Sequence, residues 1–343
     1  MTDVRGIQSD AVTAWMTEHI EGVQAPLSFS IIQGGHSNLT YRVEDAAGKL
    51  YVLRRPPIGK LLATAHDMGR EHRIISALAP TDVPVPPALG LCRDDEVNDA
   101  PFYVMGFVEG VVLDSAERTE EHFPFDVRRG IGESVIEVLA ALHTVDLGSV
   151  GLDTLAKKED YIARQLKRWR KQWEASKTRE LPEMEEVADG LEKHMPEQIG
   201  AAVVHGDYRL GNMLTGKDGH VAAVLDWELC TLGDPLADVG YLMNNWPDGD
   251  EEGSSPVEER APTAAGGFPS RAEMIERYGE LTGRDVSNLS YYRAFQYWRL
   301  AAIVEGVLDR YMKGKMAGDV DHDVYRQRVD SLANAAVTLM MDV

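Results

Sequence analysis

Residues 203–228, VVHGDYRLGNMLTGKDGHVAAVLDWE, leave the chain little choice of backbone. The apolar run at 201–204 has the length of a buried strand and ends in a polar loop, His205-Gly206-Asp207. The Gly-broken segment that leads to Asn212 cannot be a regular helix. Met213 and Leu214, a Gly-Lys-Asp-Gly turn and the run 221–225 then make a hairpin signature. Its second strand is expected to deliver Asp226 back towards Asn212. Two oxygen ligands are thus expected on opposite rims of a tight hairpin, with a further carboxylate, Asp207, on the preceding loop.

That disposition suits phosphoryl transfer. Mg²⁺ takes hard oxygen ligands, few of them from protein and the rest from water and phosphate. One carboxylate and one amide oxygen meet this demand without over-neutralising the ion. A separate carboxylate can accept the proton of an attacking hydroxyl and orient it. The spacing Asp-x-x-x-x-Asn, then a hairpin and a second Asp, is the pattern of a kinase catalytic loop. A generic hairpin with solvated acids and a capping Asn accounts for any one of these elements, but not for all three in order.

HGDYRLGN, followed by LDWE and GDPLADV, resembles the aminoglycoside phosphotransferase and choline kinase superfamily, where His-Gly-Asp and Asp-Trp-Glu stand in place of the His-Arg-Asp and Asp-Phe-Gly of protein kinases. The resemblance implies an α+β, protein kinase-like fold of two lobes: a small antiparallel sheet lobe over residues 1–107 and a larger, mainly helical lobe over 108–343. It implies ATP as co-substrate, Asp207 as catalytic base, and Asn212 and Asp226 as holders of Mg²⁺, with MgATP between the lobes. His205 and Asp238 are then expected to support the catalytic loop, since an acid at the latter place bonds the loop backbone in such folds.

Composition sets the outer bounds. At 343 residues, 44% hydrophobic and 27% charged, the chain is an ordinary globular sequence with room for about two domains. No apolar run is long enough to span a bilayer, and no basic region followed by an apolar core marks a secretory signal. Two cysteines, Cys92 and Cys230, exclude a disulfide framework and fit a reducing cytoplasm. A net charge of −21 argues against nucleic acid or an anionic membrane as bulk partners, so an anionic substrate needs a locally basic site.

Along the chain, residues 9–24 have helical spacing and read as a packing helix. Strands follow at 28–33, 39–44 and 50–54. Between the first two lies GGHSN, where Gly34 and Gly35 free backbone amides and Ser37 and Asn38 add side-chain donors for a phosphate. Alone this is a hairpin loop; ahead of the other motifs it reads as the nucleotide-phosphate loop. In kinase-like folds the third strand supplies a Lys to the phosphates. Here Tyr-Val-Leu-Arg-Arg-Pro-Pro has none, and Arg54 sits at the corresponding place, its guanidinium still able to bind phosphate. Arg55 points to the other sheet face. A helix at 64–78 carries Glu71, which by resemblance pairs with Arg54. Prolines 80, 84, 86 and 87 end it. After a strand at 88–92 and an acidic turn, residues 101–108 lead into the hinge. Met105 and Phe107, within 105–109, take the position expected to contact adenine.

The rest reads as helical. Residues 125–145 form an amphipathic helix with Ile131, Val135, Val138, Leu139 and Leu142 inward, and His143 as a packed or capping residue. At 161–173, Arg164, Lys167, Arg168, Arg170 and Lys171 cluster in an otherwise acidic protein. That cluster is either a solvated helix face or a patch for an anionic substrate such as the phosphates of coenzyme A. Asp234 and Pro235 mark a helix start. Residues 247–270 have loop composition, as a lid or an inert insertion, and helices follow at 271–281, 291–312 and 323–340.

The strings YVLRRPP, REHRIISAL, VPVPPALGLC, PFYVM, DYIARQLKRW and LDWELCTLGDPLADVGY narrow the resemblance to one branch. It is the kinase-like domain at the N-terminus of acyl-CoA dehydrogenase family members ten and eleven, with its free-standing bacterial relatives. This implies a small-molecule hydroxyl acceptor, a hydroxyacyl-CoA such as a 4-hydroxyacyl-CoA. An aminoglycoside or amino-alcohol (choline- or homoserine-type) kinase is the alternative, and a nucleotide-binding pseudokinase, favoured only by Arg54 in place of Lys, is the non-enzyme one.

Overall fold

The computed structural model describes residues 4–32, 38–58, 67–248, 260–316, 318 and 320–343. The chain divides into two compact units: residues 1–110 with 150–152 and 222–228, and residues 111–149, 153–221 and 229–343. Elements of both α and β type alternate in the first and helices dominate the second.

The first unit opens with α1 (Ser9–His19), in which Val12 and Met16, four residues apart, are buried on one face. The helix ends five residues before its expected limit, because Ile20 turns to extended backbone. Strands β1 (Ser28–Ile31), β2 (Leu39–Glu44) and β3 (Leu50–Arg55) follow. The turn between β2 and β3 is made by Asp45, whose carboxylate accepts the N–H groups of Ala47 and Lys49 at 2.9 Å each. Next come α2 (Met68–Leu78), β4 (Ala88–Cys92), the one-turn α3 (Asp95–Asn98) where only an acidic turn was expected, and β5 (Phe102–Gly106). Together they build an antiparallel sheet in the order β1-β2-β3-β5-β4. Alternation along β3 decides what each face carries. Tyr51 and Leu53 join Tyr41, Val43, Phe102 and Val104 in a core against Val12 and Met16. Arg55 lies on that same face, donating to the Asn98 carbonyl at 3.1 Å.

The opposite face belongs to α2. Asp67 caps this helix by accepting the Arg70 N–H at 2.9 Å, so it begins at Met68; residues 64–66 of the expected helix lie outside the described residues. Met68, Glu71, Ile75 and Leu78 fall on one buried stripe at helical spacing. An acid therefore occupies a position that the periodicity reserves for an apolar side chain.

The second unit contains α4 (Ala116–His122), α5 (Arg128–Thr144), α6 (Tyr161–Ser176), α7 (Pro182–Lys193), β6 (Ala202–Val204), β7 (Met213–Thr215), and, after a turn, β8 (Val221–Val224), which carries the chain into the first unit. It resumes with β9 (Thr231–Gly233), antiparallel to β6, then α8 (Leu236–Asn244), α9 (Arg271–Thr282), α10 (Leu289–Met312) and α11 (His322–Met340). Helix α10 is apolar nearly all round: Tyr291, Tyr292, Phe295, Trp298, Ala301, Ala302 and Leu308 are buried, as befits a helix packed by α6, α7, α8 and α11. The α8–α10 approach is so close that a Cβ on Gly240 would stand 2.9 Å from the backbone of Tyr292.

Helix α8 starts one residue later than the motif implied. Pro235 is its flanking residue, while the buried Asp234 carboxylate accepts the Leu236 N–H at 3.1 Å and the Tyr292 hydroxyl at 2.7 Å. In the stretch expected as a loop, residues 249–259 lie outside the described residues; 262–265 form a 3₁₀ turn, and the carbonyls of Ala265 and the following Gly266 accept from Arg128. Among the described residues, no helix is long and apolar enough to cross a membrane.

Candidate active site

In the second unit the polar loop after β6 is held from below by Asp238, in the first turn of α8. Its carboxylate accepts the backbone N–H groups of His205 at 2.6 Å and Gly206 at 2.8 Å. Burial alone would raise the Asp238 pKa. The hydrogen bond from His143 and that from the Gly206 amide instead lower it, so the carboxylate stays ionised. The His143 ring completes the set, with Nε2 3.4 Å from Asp238 and Nδ1 2.8 Å from the Tyr278 hydroxyl. Gly206 has φ +86°, and a Cβ there would stand 3.1 Å from the Leu229 carbonyl oxygen, so glycine is required at the turn. His205 is fully buried and its Nδ1 accepts the Asp207 N–H at 3.2 Å. Tyr208 ties the loop to α5 through the Val135 carbonyl at 2.8 Å.

These restraints fix Asp207. The Asn212 amide nitrogen donates to the Asp207 carboxylate at 2.7 Å and to its carbonyl at 2.8 Å. Arg209 lies 3.5 Å from the other carboxylate oxygen. Tyr241 lines the same wall as Asp207; burial first, and then the Asp207 charge, push the Tyr241 pKa up, so its hydroxyl stays neutral. With its nitrogen committed to Asp207, Asn212 has its amide oxygen left as a ligand. Asp207 opens onto a cavity of about 340 Å³ whose polar wall includes Arg209, Tyr241, Gln296 and Arg328, and whose apolar wall includes Leu300 and Leu332. The size is at the small end for a ligand pocket.

In the first unit, the α2-facing side of the sheet buries charge. The Arg54 guanidinium lies 3.5 Å from Glu71 and donates to Asp226 at 3.0 Å. Glu71, 1% exposed, also accepts from Asn38 at 3.0 Å and from the Tyr103 hydroxyl at 3.0 Å. Asn38 reaches Glu228 at 3.3 Å. Burial raises the Glu71 pKa despite Arg54 and Tyr103. For Arg54, burial opposes the charge, yet Glu71, Asp226 and Tyr103 together raise its pKa above the ordinary value. Asp226 has φ +65°, a left-handed conformation that costs a non-glycine residue on the order of 1 kcal/mol. Such strain is typical of functional positions. Gly34, Gly35 and Ser37 lie outside the described residues. Met105 is buried opposite Val52 in the β5–β3 pair, and Phe107, just past β5, is exposed.

The basic residues of α6 are not one patch. Arg170 is taken up by α7, with Asp189 at 2.7 Å, Glu192 at 3.1 Å and Glu185 at 3.6 Å. Arg164 donates to the Lys157 carbonyl at 2.8 Å, and Arg168 lies over the Trp169 ring. Lys167 and Lys171 share a second cavity with Glu174 and Glu192. Tyr241, Arg209 and Arg328 were not singled out from the sequence. Tyr241 ends the GDPLADVGY string and Arg209 sits inside HGDYRLGN, so position within a motif was the available signal for both.

An antiparallel sheet unit with a buried Arg–Glu pair, and a helical unit with an Asp-x-x-x-x-Asn loop, define a kinase-like fold. The family model "phosphotransferase enzyme family" matches residues 28–276, and the chain belongs to that family. It is 37% identical over 298 residues to acyl-CoA dehydrogenase family member 10 of Mus musculus, covering 84% of this chain and 27% of that protein. It is 30% identical over 341 residues to acyl-CoA dehydrogenase family member 11 of Homo sapiens, covering 96% and 43%. The chain thus spans less than half the length of either relative. A crystal structure from Ralstonia eutropha JMP134, provisionally described as an aminoglycoside phosphotransferase, is 34% identical with a TM-score of 0.83 over 98% of both chains. The fold is shared more distantly, at 19% identity and a TM-score of 0.60 over 95% of this chain and 98% of the other, with a thermostable mutant of aminoglycoside phosphotransferase APH(4)-Ia in ternary complex with AMP-PNP and hygromycin B.

Proposed function

We propose that this phosphotransferase moves the γ-phosphate of ATP to the hydroxyl of a hydroxyacyl-CoA. The observation that carries this reading is Asp207: its carboxylate, oriented by Asn212, stands at the wall of a small cavity lined by both polar and apolar groups. The acceptor hydroxyl attacks the γ-phosphorus, the bond to ADP breaks, and the hydroxyl proton passes to Asp207. The ATP assignment is supported by the AMP-PNP held by a relative of the same fold.

The oxygen donors present suit Mg²⁺. Asn212 offers its amide oxygen and Asp226 the carboxylate oxygen that does not face Arg54, and phosphate and water complete such a shell. The ion would neutralise charge on the phosphates. Arg54, braced by Glu71, is the residue we assign to the nucleotide phosphates in place of a Lys, in a nucleotide lobe spanning residues 1–107 that also includes Gly34, Gly35, Ser37, Asn38, Met105 and Phe107. His205 and Asp238 hold the loop, and the catalytic loop and acceptor site belong to the lobe 108–343.

The acceptor class draws support from the relatives' names and from the cavity. A volume of about 340 Å³ suits a short acyl portion and leaves the bulk of a coenzyme outside. Arg164, Lys167 and Arg168 form no ion pair among the described residues and are the cations we assign to the coenzyme phosphates.

ADP release from MgATP, with Asp207→Asn as blank, tests the reading. The acceptors are 4-hydroxyacyl-CoA, kanamycin, choline and homoserine. Turnover confined to the hydroxyacyl-CoA is expected. Turnover of a cationic acceptor instead would replace the substrate and keep the mechanism, while nucleotide binding without any turnover would favour a pseudokinase.

A further inference from the structure

The cavity that holds Asp207 also contains a guanidinium with nothing to neutralise it. Arg328 lines the wall from α11. Its Nε is buried without a hydrogen-bond partner, and among the described residues no carboxylate lies within ion-pair range of it. Its neighbours on the same helix are treated differently. Arg326 is paired with Asp323 at 3.0 Å, and Asp330 with Arg179. A chain with 56 acidic and 35 basic residues has carboxylates to spare, yet none meets Arg328.

The other polar groups of the wall are committed. Asn244 exchanges hydrogen bonds with Arg293, and Gln296 bonds Ala237 and Arg299. Arg209 and Asp207 face each other at 3.5 Å. Asp114 is exposed, and its charge is met by solvent. Burial lowers the Arg328 pKa, and the groups that offset it are the Tyr325 and Tyr241 hydroxyls, not an acid. A guanidinium stays protonated even so. Tyr241 lines the same wall as Asp207 and Arg328.

We propose that Arg328 is the acceptor-specificity residue, its guanidinium binding the carboxyl-derived oxygen of a hydroxyacyl group whose hydroxyl faces Asp207. This rests on the phosphotransferase reading above and sharpens its substrate class. A cationic acceptor would meet a half-buried like charge, which is costly in a low-dielectric site. A dianionic phosphoryl group would meet Arg328 and the nearby Asp207 carboxylate, with Arg209 already facing that carboxylate. A single carboxylate or a thioester carbonyl, each matched to the guanidinium fork, fits one unpaired arginine beside Leu300 and Leu332. The shared chemistry, an oxygen on the acyl carbon, comes either from a free hydroxy acid or from its thioester.

The test compares the full chain with Arg328→Gln and Arg328→Lys. Acceptors are a 4-hydroxyacyl-CoA, the matching free 4-hydroxy acid, and the matching diol without the carboxyl oxygen. Loss of a charged hydrogen bond is worth roughly a 10- to 100-fold effect. Arg328→Gln is expected to raise the acceptor KM by that factor, with the KM for ATP within twofold and the diol unaffected. Arg328→Lys should recover part of the loss. Whichever acyl form shows the larger change identifies the source of the oxygen. An unchanged KM for both acyl forms overturns the proposal. Calorimetric binding of the hydroxy acid and of the thioester to the wild type and to Arg328→Gln gives a second readout without turnover, and equal affinities, or no binding to the wild type, overturn it equally. A wild type that turns over no acceptor while binding these ligands through Arg328 would instead overturn the reaction and leave the binding role standing.

Discussion

Arg54 and Arg328 sit in different units and face the same physical problem with opposite outcomes. Each loses water on burial, which disfavours its charge. Around Arg54 the chain supplies Glu71 and Asp226, with Tyr103 beside them, and the charge ends better stabilised than in water. Around Arg328 it supplies two tyrosines and no acid, and the charge ends less stabilised. A guanidinium ringed by internal partners has its geometry set before any ligand arrives. One left without a partner is free to take its counter-group from outside. On this comparison Arg54 is a pre-positioned device, and Arg328 a receptor.

The largest effect should come from the carboxylate that the Arg328 cavity serves. Asp207→Asn removes the proton acceptor but keeps the shape and an oxygen to accept from Asn212. We expect kcat to fall by roughly 10²- to 10⁴-fold, the contribution of a positioned general base, with nucleotide affinity unchanged in a fluorescence titration. A fall of less than tenfold would mean that the Asp207 cavity is not the reacting one. Next in size is Glu71→Ala. It strips Arg54 of a partner buried at 1% exposure, and breaking a buried pair costs about 3–5 kcal/mol. Urea unfolding should show that loss, and Arg54→Met in the Glu71→Ala background should return part of it. No change on Glu71→Ala would erase the contrast between the two arginines.

How much of this was legible depended on range along the chain. The catalytic loop was readable because its parts lie within a few residues: Asp207 and Asn212 are five apart, and a Gly-broken strand exit forces them together. The strand pattern of the first unit was readable because β2 alternates, β3 and β4 are short apolar runs, and turn residues such as Asp45 bound them. Four elements escaped, the first being α3, a single turn too short to show a period. β9 has three residues, too few for a period, and α4 buries only Ala116 and Thr119, too few for a stripe. Helix α7 does carry a legible stripe, Met184, Val187, Ala188 and Leu191, hidden among its acids. The same acids escaped notice as partners of Arg170, so the α6 cluster read as more basic than it is. Arg328 was out of reach in principle. In RQRVD nothing in the local pattern separates it from Arg326, and only tertiary packing leaves one paired and the other not.

A smaller effect tests the support beneath Asp207. His143 is fully buried, and burial lowers its pKa from the ordinary 6.5 despite the neighbouring Asp238. Asp238 is lowered from 3.8 by His143 and the Gly206 amide, against its own burial. We take the pair as a neutral imidazole beside an ionised carboxylate. In the unfolded chain His143 gains a proton near pH 6.5, whereas in the folded chain it resists until lower pH. The unfolded state therefore binds more protons just below pH 6.5, and stability falls as the pH drops through that window, by at most about 1.4 kcal/mol per pH unit per group. A further loss follows lower down, where Asp238 must be protonated. Urea midpoints between pH 7.5 and 5 should show the first decline, and His143→Gln should flatten it. An undiminished slope in the variant would place the titrating group elsewhere, with His72, also lowered chiefly by burial, the next to test.

The smallest expected effect is the one that separates the two arginines most cleanly. Arg328→Leu keeps the apolar stem that packs on α11 and its surroundings but removes the charge. If the guanidinium has no internal partner, nothing is broken by its removal and a desolvated cation is relieved. Stability should then stay within about 1 kcal/mol of the wild type or rise slightly, as when uncompensated buried charge is replaced by apolar volume. Arg54→Met, in the same assay, leaves Glu71 buried without its counter-charge and should be plainly destabilising. The informative quantity is the difference between the two in thermal unfolding without ligand. A large gap means that the fold depends on Arg54 and tolerates the loss of Arg328, so a retained cation at 328 answers to binding rather than to folding. Equal destabilisation would mean that the Arg328 guanidinium holds the fold together as Arg54 does, and its lack of a carboxylate would no longer point to a substrate.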